Sequence, residues 1–160
     1  AEPEEIVLTV WVSEALSPNP DTPGGEEMLA QLAAFDEAHP EVRVEVETKL
    51  TTGPGSTLAY LRSAQPVAPS ILPDLALLDR EALLQAAREN LIAPMDELLD
   101  PAIVEGLYPV AAGLGTVGDQ LFGVPNVLQV QHVANRETLV DSPPNSFEAM
   151  LNSASQQAAR

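Results

Sequence analysis

A chain of 160 residues with 24 acidic and 7 basic side chains has a formal net charge of -17. That field repels phosphate backbones and anionic membrane surfaces, which argues against nucleic acid as a partner. Hydrophobic residues at 45% and charged residues at 19% suffice for one packed domain or one domain and the start of a second. The absence of cysteine excludes disulfides, thiol catalysis and thiolate metal sites, and no apolar run approaches the roughly 18 residues a membrane span needs.

In chain order, residues 1–5 form an acidic tail, and Ala1 is compatible with a start left by processing. Residues 6–12 are β-branched and aromatic without strict alternation, which predicts a first strand covered on both faces. A loop over residues 13–25 follows, rich in Pro, Asn and Gly and long for a βα connection, a length more often functional than idle. Residues 26–39 have helical spacing through Met28, Leu29 and Leu32, with Glu26 and Glu27 at the positive end and Pro40 as the stop. Val42, Val44 and Val46 alternate with Arg43, Glu45 and Glu47, the plainest strand in the chain, half exposed and therefore near an edge.

After a Gly/Pro turn with Thr52 or Ser56 as cap, residues 57–64 predict a short helix burying Leu58 and Leu61, over which Tyr60 is expected to cover the sheet. Residues 73–80 predict a buried strand of a parallel sheet that delivers Asp79 and Arg80 to its carboxyl edge, where ligands of open α/β sheets sit. A helix over 81–89 packs through Leu83, Leu84 and Ala87. Residues 102–111 are helical with a break near Tyr108 and Pro109, and residues 115–124 predict a hairpin around Gly118 and Asp119. Residues 124–133 are an extended run interrupted by Asn126, Gln129 and Gln131, and a last helix over 146–159 opens on Ser146. The alternation of strands and helices predicts an α/β fold, a three-layer sandwich around a mostly parallel sheet. The chain closes on a helix with no strand to receive it, so it is expected to be the first part of a larger protein.

The side chains at the strand ends suit a polar ligand. Asp79 and Arg80 offer acceptor and donor sets side by side, suited to paired hydroxyls, although Asp79 is equally placed to cap the helix that follows. Trp11 closes the first strand, either as core or as a flat face under a ring. Ser13 and Glu14 stand just beyond the same strand end. His39 and His132 have no metal-ligand spacing, and Gly24-Gly25 and Gly53-Pro54-Gly55 lack the context of a phosphate loop.

Five segments in order carry a resemblance to a known family. They are residues 8–11, 35–46, 73–95, 107–125, and 135–139 with 143–148, which include Pro73-Asp74-Leu75, Tyr108-Pro109 and Gly123-Val124-Pro125. Together they resemble the N-terminal portion of an extracellular solute-binding protein of the carbohydrate-binding, maltodextrin-binding-protein-like class. Three positions depart from the pattern: Ala134 replaces a common Tyr, Asn90 a glycine and Gln120 a basic residue.

The resemblance implies a periplasmic-binding-protein-like lobe over residues 1–125, a crossover strand over 126–134 and the start of a second lobe over 135–160. It implies a noncatalytic component of an ABC importer that holds a sugar or oligosaccharide between two lobes. Membrane permease subunits would be its partners, its location extracytoplasmic with lipid anchorage through a processed N-terminus, and it would use no cofactor or metal. Ligand contacts are expected from Trp11, Ser13, Glu14, Asp79, Arg80, Asn126 and Gln129. Two other readings stay open: a carbohydrate-active hydrolase, which needs two carboxylates about 5 to 9.5 Å apart, and a ligand-sensing domain on the same fold.

Overall fold

The computed structural model describes residues 5–22, 24–128 and 145–158. Three strands, β1 (Ile6–Ser13), β2 (Val42–Lys49) and β3 (Leu75–Ala76), make a parallel sheet in the order β2-β1-β3. Helices α1 (Gly25–Ala38), α2 (Thr57–Ala64) and α3 (Arg80–Arg88) alternate with them, followed by α4 (Pro101–Glu105) and α5 (Pro109–Gly115). A two-stranded antiparallel hairpin, β4 (Thr116–Val117) and β5 (Gln120–Leu121), comes next. The expected α/β class with a parallel sheet flanked by helices is what the chain adopts.

Pairing of β1 with β2 is continuous from Ile6 opposite Val42 to Ser13 opposite Lys49, so the two strands start and stop together. The alternation of β2 places half-buried Val42, Val44 and Val46 against exposed Arg43, Glu45 and Glu47, and β2 lies at an edge as its pattern predicts. In β1 the expected cover on both faces holds at one end only. Ile6 and Val7 are exposed, whereas the consecutive residues Trp11 and Val12, which point to opposite faces, are both buried.

The strand expected over 73–80 is much shorter and not buried: only Leu75 and Ala76 pair with β1, and Leu75 is 45% exposed. At its entry the Asp74 carboxylate accepts the Thr9 N–H at 2.8 Å while the Asp74 N–H donates to the Thr9 carbonyl at 2.9 Å. A side chain thus takes the place of a ladder rung. At the exit Asp79 turns the chain into α3. Among the described residues no strand lies on the outer side of β3, which leaves Leu75 open.

The helices pack through small residues. Leu61 and Ala64 of α2 and Ala86 and Ala87 of α3 are buried, and α2 touches both β1 and α3. Outside this contact Arg62 donates to both Glu89 carboxylate oxygens and to Gln85, joining the two helices at their exposed margin. Helix α3 ends in a Schellman motif: the Asn90 N–H donates to the Ala87 carbonyl, the Leu91 N–H to the Ala86 carbonyl, and Asn90 takes the left-handed conformation with φ 56°. Asn tolerates that region better than other residues with a Cβ.

The hairpin turns on Gly118, with φ 63°, while Asp119 keeps negative φ, the type II′ arrangement that calls for glycine first. The helix predicted over 102–111 is split, as expected, with Pro109 opening α5. The chain divides into two compact units, residues 1–126 and 127–160. In the second, α6 (Phe147–Ala158) is capped by Ser146, whose hydroxyl accepts the Ala149 N–H at 3.1 Å.

Two outcomes follow from these contacts. Asn90→Ala is expected to lower stability by about 1 kcal/mol in chemical denaturation, because a left-handed alanine lacks the compensation asparagine has, whereas Asn90→Gly should not lower it. The hydrogen bond from Arg62 holds the Glu89 carboxyl below its ordinary range, against the opposing effect of desolvation. Its stabilisation is therefore present above the ordinary carboxylate range and lost as pH falls through the lowered value. Thermal unfolding of wild type and Arg62→Met should differ near neutrality and converge in acid.

Candidate functional site at the carboxyl edge of the sheet

Because β1 and β2 end in register, the residues that close them, Ser13 and Lys49, are partners across the ladder. The first turn of α2 rises beside them and the start of α3 follows from β3, so the carboxyl edge gathers side chains from three strand-to-helix connections. A 3-10 turn over Glu14–Leu16 carries the chain away from β1, and the Ser17 and Thr48 hydroxyls are bonded at 3.0 Å across the loop mouth. Ser13 is half-buried and Glu14 is exposed, with no side-chain partner among the described residues.

Trp11, expected at the ligand, lies instead in the core at 2% exposure. The ammonium of Lys49 stands 4.3 Å from the centre of its ring, and Tyr60 meets it edge-on at 6.0 Å. Its ring therefore has no face open for stacking. The Trp11 Nε1–H is buried and unbonded among the described residues.

Asp79 performs the capping that its position allowed. Its Oδ1 accepts the Ala82 N–H at 2.7 Å while the residue stays exposed, and its second oxygen takes no hydrogen bond among the described residues. Arg80 directs Nη1 to the carbonyls of Leu114 and Thr116, tying α3 to the end of α5. Both residues stand at the carboxyl edge of β3, but each also holds the backbone. Asn126 is exposed at the end of the first unit, and Gln129 lies outside the described residues, as do Gln131 and His132.

Sequence reasoning did not single out Lys49. Its side chain is only 15% exposed and its Nζ sits 2.6 Å from Glu47 Oε2 and 4.8 Å from the centre of the Tyr60 ring. The alternation alone points away from it. Carrying the Val42, Val44, Val46 phase forward leads to Thr48, yet Thr48 is exposed and Lys49 is half-buried, so the phase slips at the strand end. Tyr60, expected to cover the sheet, does lean on Trp11 but keeps 41% exposure, and its hydroxyl has no hydrogen bond among the described residues.

A cavity of about 410 Å³ lies elsewhere in the first unit, lined by Leu99, Val104, Leu121, Asp96, Glu105 and Asp119. Both Asp96 carboxylate oxygens accept the Leu121 N–H, so that carboxylate braces the hairpin. Among the described residues no three acidic or histidine side chains gather as metal ligands.

The cap formed by Asp79 contributes to stability. Asp79→Ala is expected to cost about 1 kcal/mol in chemical denaturation through loss of the cap, and Asp79→Asn, which can still accept the Ala82 N–H, to cost much less.

No family model matches the chain, and no curated protein matches it. Solved structures do. CpMnBP1 with mannotriose bound aligns at 23% identity with a TM-score of 0.58, covering 76% of this chain and 28% of that one. The Thermus thermophilus maltotriose-binding protein with maltotriose aligns at 19% identity with a TM-score of 0.57, covering 93% and 36%. An extracellular solute-binding protein family 1 member from Alicyclobacillus acidocaldarius aligns at 19% identity with a TM-score of 0.50, covering 76% and 28%. The chain thus spans about a third or less of the proteins it matches. At these identities the likeness is one of fold: the α/β architecture described above is shared with part of each of these proteins.

Proposed function

We propose that the chain is the N-terminal portion of a noncatalytic, extracytoplasmic solute-binding component of an ABC importer, and that it supplies one wall of a cleft for a sugar or oligosaccharide. The observation that carries this reading is the carboxyl edge itself. Side chains from three strand-to-helix connections gather there on a fold shared with proteins solved with mannotriose and maltotriose bound. Asp79 through its second oxygen, Arg80, Ser13 and Glu14 supply acceptors and donors for hydroxyl groups.

In this reading residues 126–134 cross to a second lobe that begins at 135, and Asn126 and Gln129 reach the ligand from the crossing. Closure of the second lobe over the first supplies the opposing contacts, so affinity depends on both. Permease subunits in the membrane take the loaded protein. No helix among the described residues is long and apolar enough to cross a membrane. The net charge of -17 favours an uncharged solute over an anionic one.

Titration calorimetry of the complete protein against neutral mono- and oligosaccharides is expected to give saturable heat with at least one of them. Silence across the sugar panel, with saturation by a peptide or a metal complex instead, would contradict the sugar assignment.

A further inference from the structure

We propose that the cavity between α4, α5 and the β4–β5 hairpin is a second binding site, separate from the proposed sugar site, and that it takes an aliphatic diamine or polyamine.

The cavity has a volume of about 410 Å³, the size of a small-molecule site, and all of its lining lies within residues 96–121 of the first unit. Its floor is aliphatic: Leu121 is buried, and Leu99 and Val104 are half-buried. The backbone holds the walls. The Met95 N–H donates to the Leu121 carbonyl at 2.7 Å, the Asp96 carboxylate accepts the Leu121 N–H, and the Leu99 N–H donates to the Met95 carbonyl at 3.2 Å.

The charged groups on the lining are all carboxylates, those of Asp96, Glu105 and Asp119. Asp96 is engaged with the hairpin. Glu105 at the end of α4 and Asp119 in the hairpin turn have no side-chain hydrogen bond or ion pair among the described residues. The Thr116 hydroxyl is spent on the Ala112 carbonyl at 3.0 Å, so the lining offers acceptors and no basic donor. Like charges around one apolar space repel one another, and a cation between them lowers that energy.

The placement of the acids decides what kind of cation. Among the described residues no three acidic side chains converge as metal ligands, so these carboxylates surround the space instead of meeting at a point. A small hydrated ion would leave the aliphatic floor uncovered. Two ammonium groups joined by methylenes match two carboxylates carried on different elements, and the methylenes cover Leu99, Val104 and Leu121.

Titration calorimetry of the complete protein with 1,4-diaminobutane and with spermidine, at constant ionic strength, is expected to give saturable heat. Magnesium ion and butylamine should each bind at least about threefold more weakly than the diamine, because each lacks either the spaced second charge or the methylene body. Glu105→Gln and Asp119→Asn remove a charge without removing a structural contact. Each should weaken diamine binding about threefold, the worth of one exposed ion pair, and the double variant about tenfold.

Equal binding of magnesium and diamine would reduce the response to screening of the net charge of -17 and overturn the proposal. Unchanged diamine binding in the double variant would place the amine elsewhere and overturn it, as would silence with every amine. The sugar reading is tested separately: the same variants are expected to bind sugar as the wild type does. Loss of sugar binding in them would put the sugar in this cavity and overturn the amine assignment.

Discussion

Eight consecutive parallel pairs between β1 and β2 set the geometry on which the rest of the molecule depends. Since both strands start and stop in step, their loops leave the sheet at the same level, and the side chains at that level become neighbours without further design. The exposed acids of β2 and the half-buried valines fix this register. A slip of one residue would exchange Val42, Val44 and Val46 with Arg43, Glu45 and Glu47, putting three charges against the core.

The loops that leave this edge are held by side chains that serve the backbone first. Asp79 caps α3, Arg80 fastens the end of α5, and Ser56 caps α2 through the Ala59 N–H. Such anchoring keeps polar groups at the edge in fixed positions, which lowers the ordering cost of holding a ligand there. In the proposed site Asp79 and Arg80 would serve the fold and the ligand at once, so a loss of affinity in a variant is interpretable only beside its unfolding free energy. Lys49 differs, because its partners are a surface glutamate and two rings, none of which is a capping residue.

Much of this was legible in the sequence where one force dominated. The strict alternation of β2 gave both the strand and its edge position, the Gly118-Asp119 pair gave the hairpin, and Pro109 gave the break between α4 and α5. Ambiguity entered where two forces compete. The apolar run from Leu75 to Leu78 fits a long buried strand, but the side chain of Asp74 competes for the ladder at one end and the cap at Asp79 ends it at the other, leaving two paired residues. Trp11 is compatible with a core or a ligand face on composition alone. Its burial beneath Lys49 and Tyr60 decides for the core. Lys49 itself went unnoticed because a lone cation at a strand end in an acidic chain looks like a solvated residue, and the slip in burial phase that marks it belongs to tertiary packing.

The most direct measurement is a crystal structure of the complete protein grown with a neutral oligosaccharide that gives saturable heat. The account predicts sugar rings seated at the carboxyl ends of β1, β2 and β3, within hydrogen-bond distance of Asp79 or Arg80. A sugar found in the cavity between Leu99, Val104 and Leu121, with the carboxyl edge empty, would contradict it.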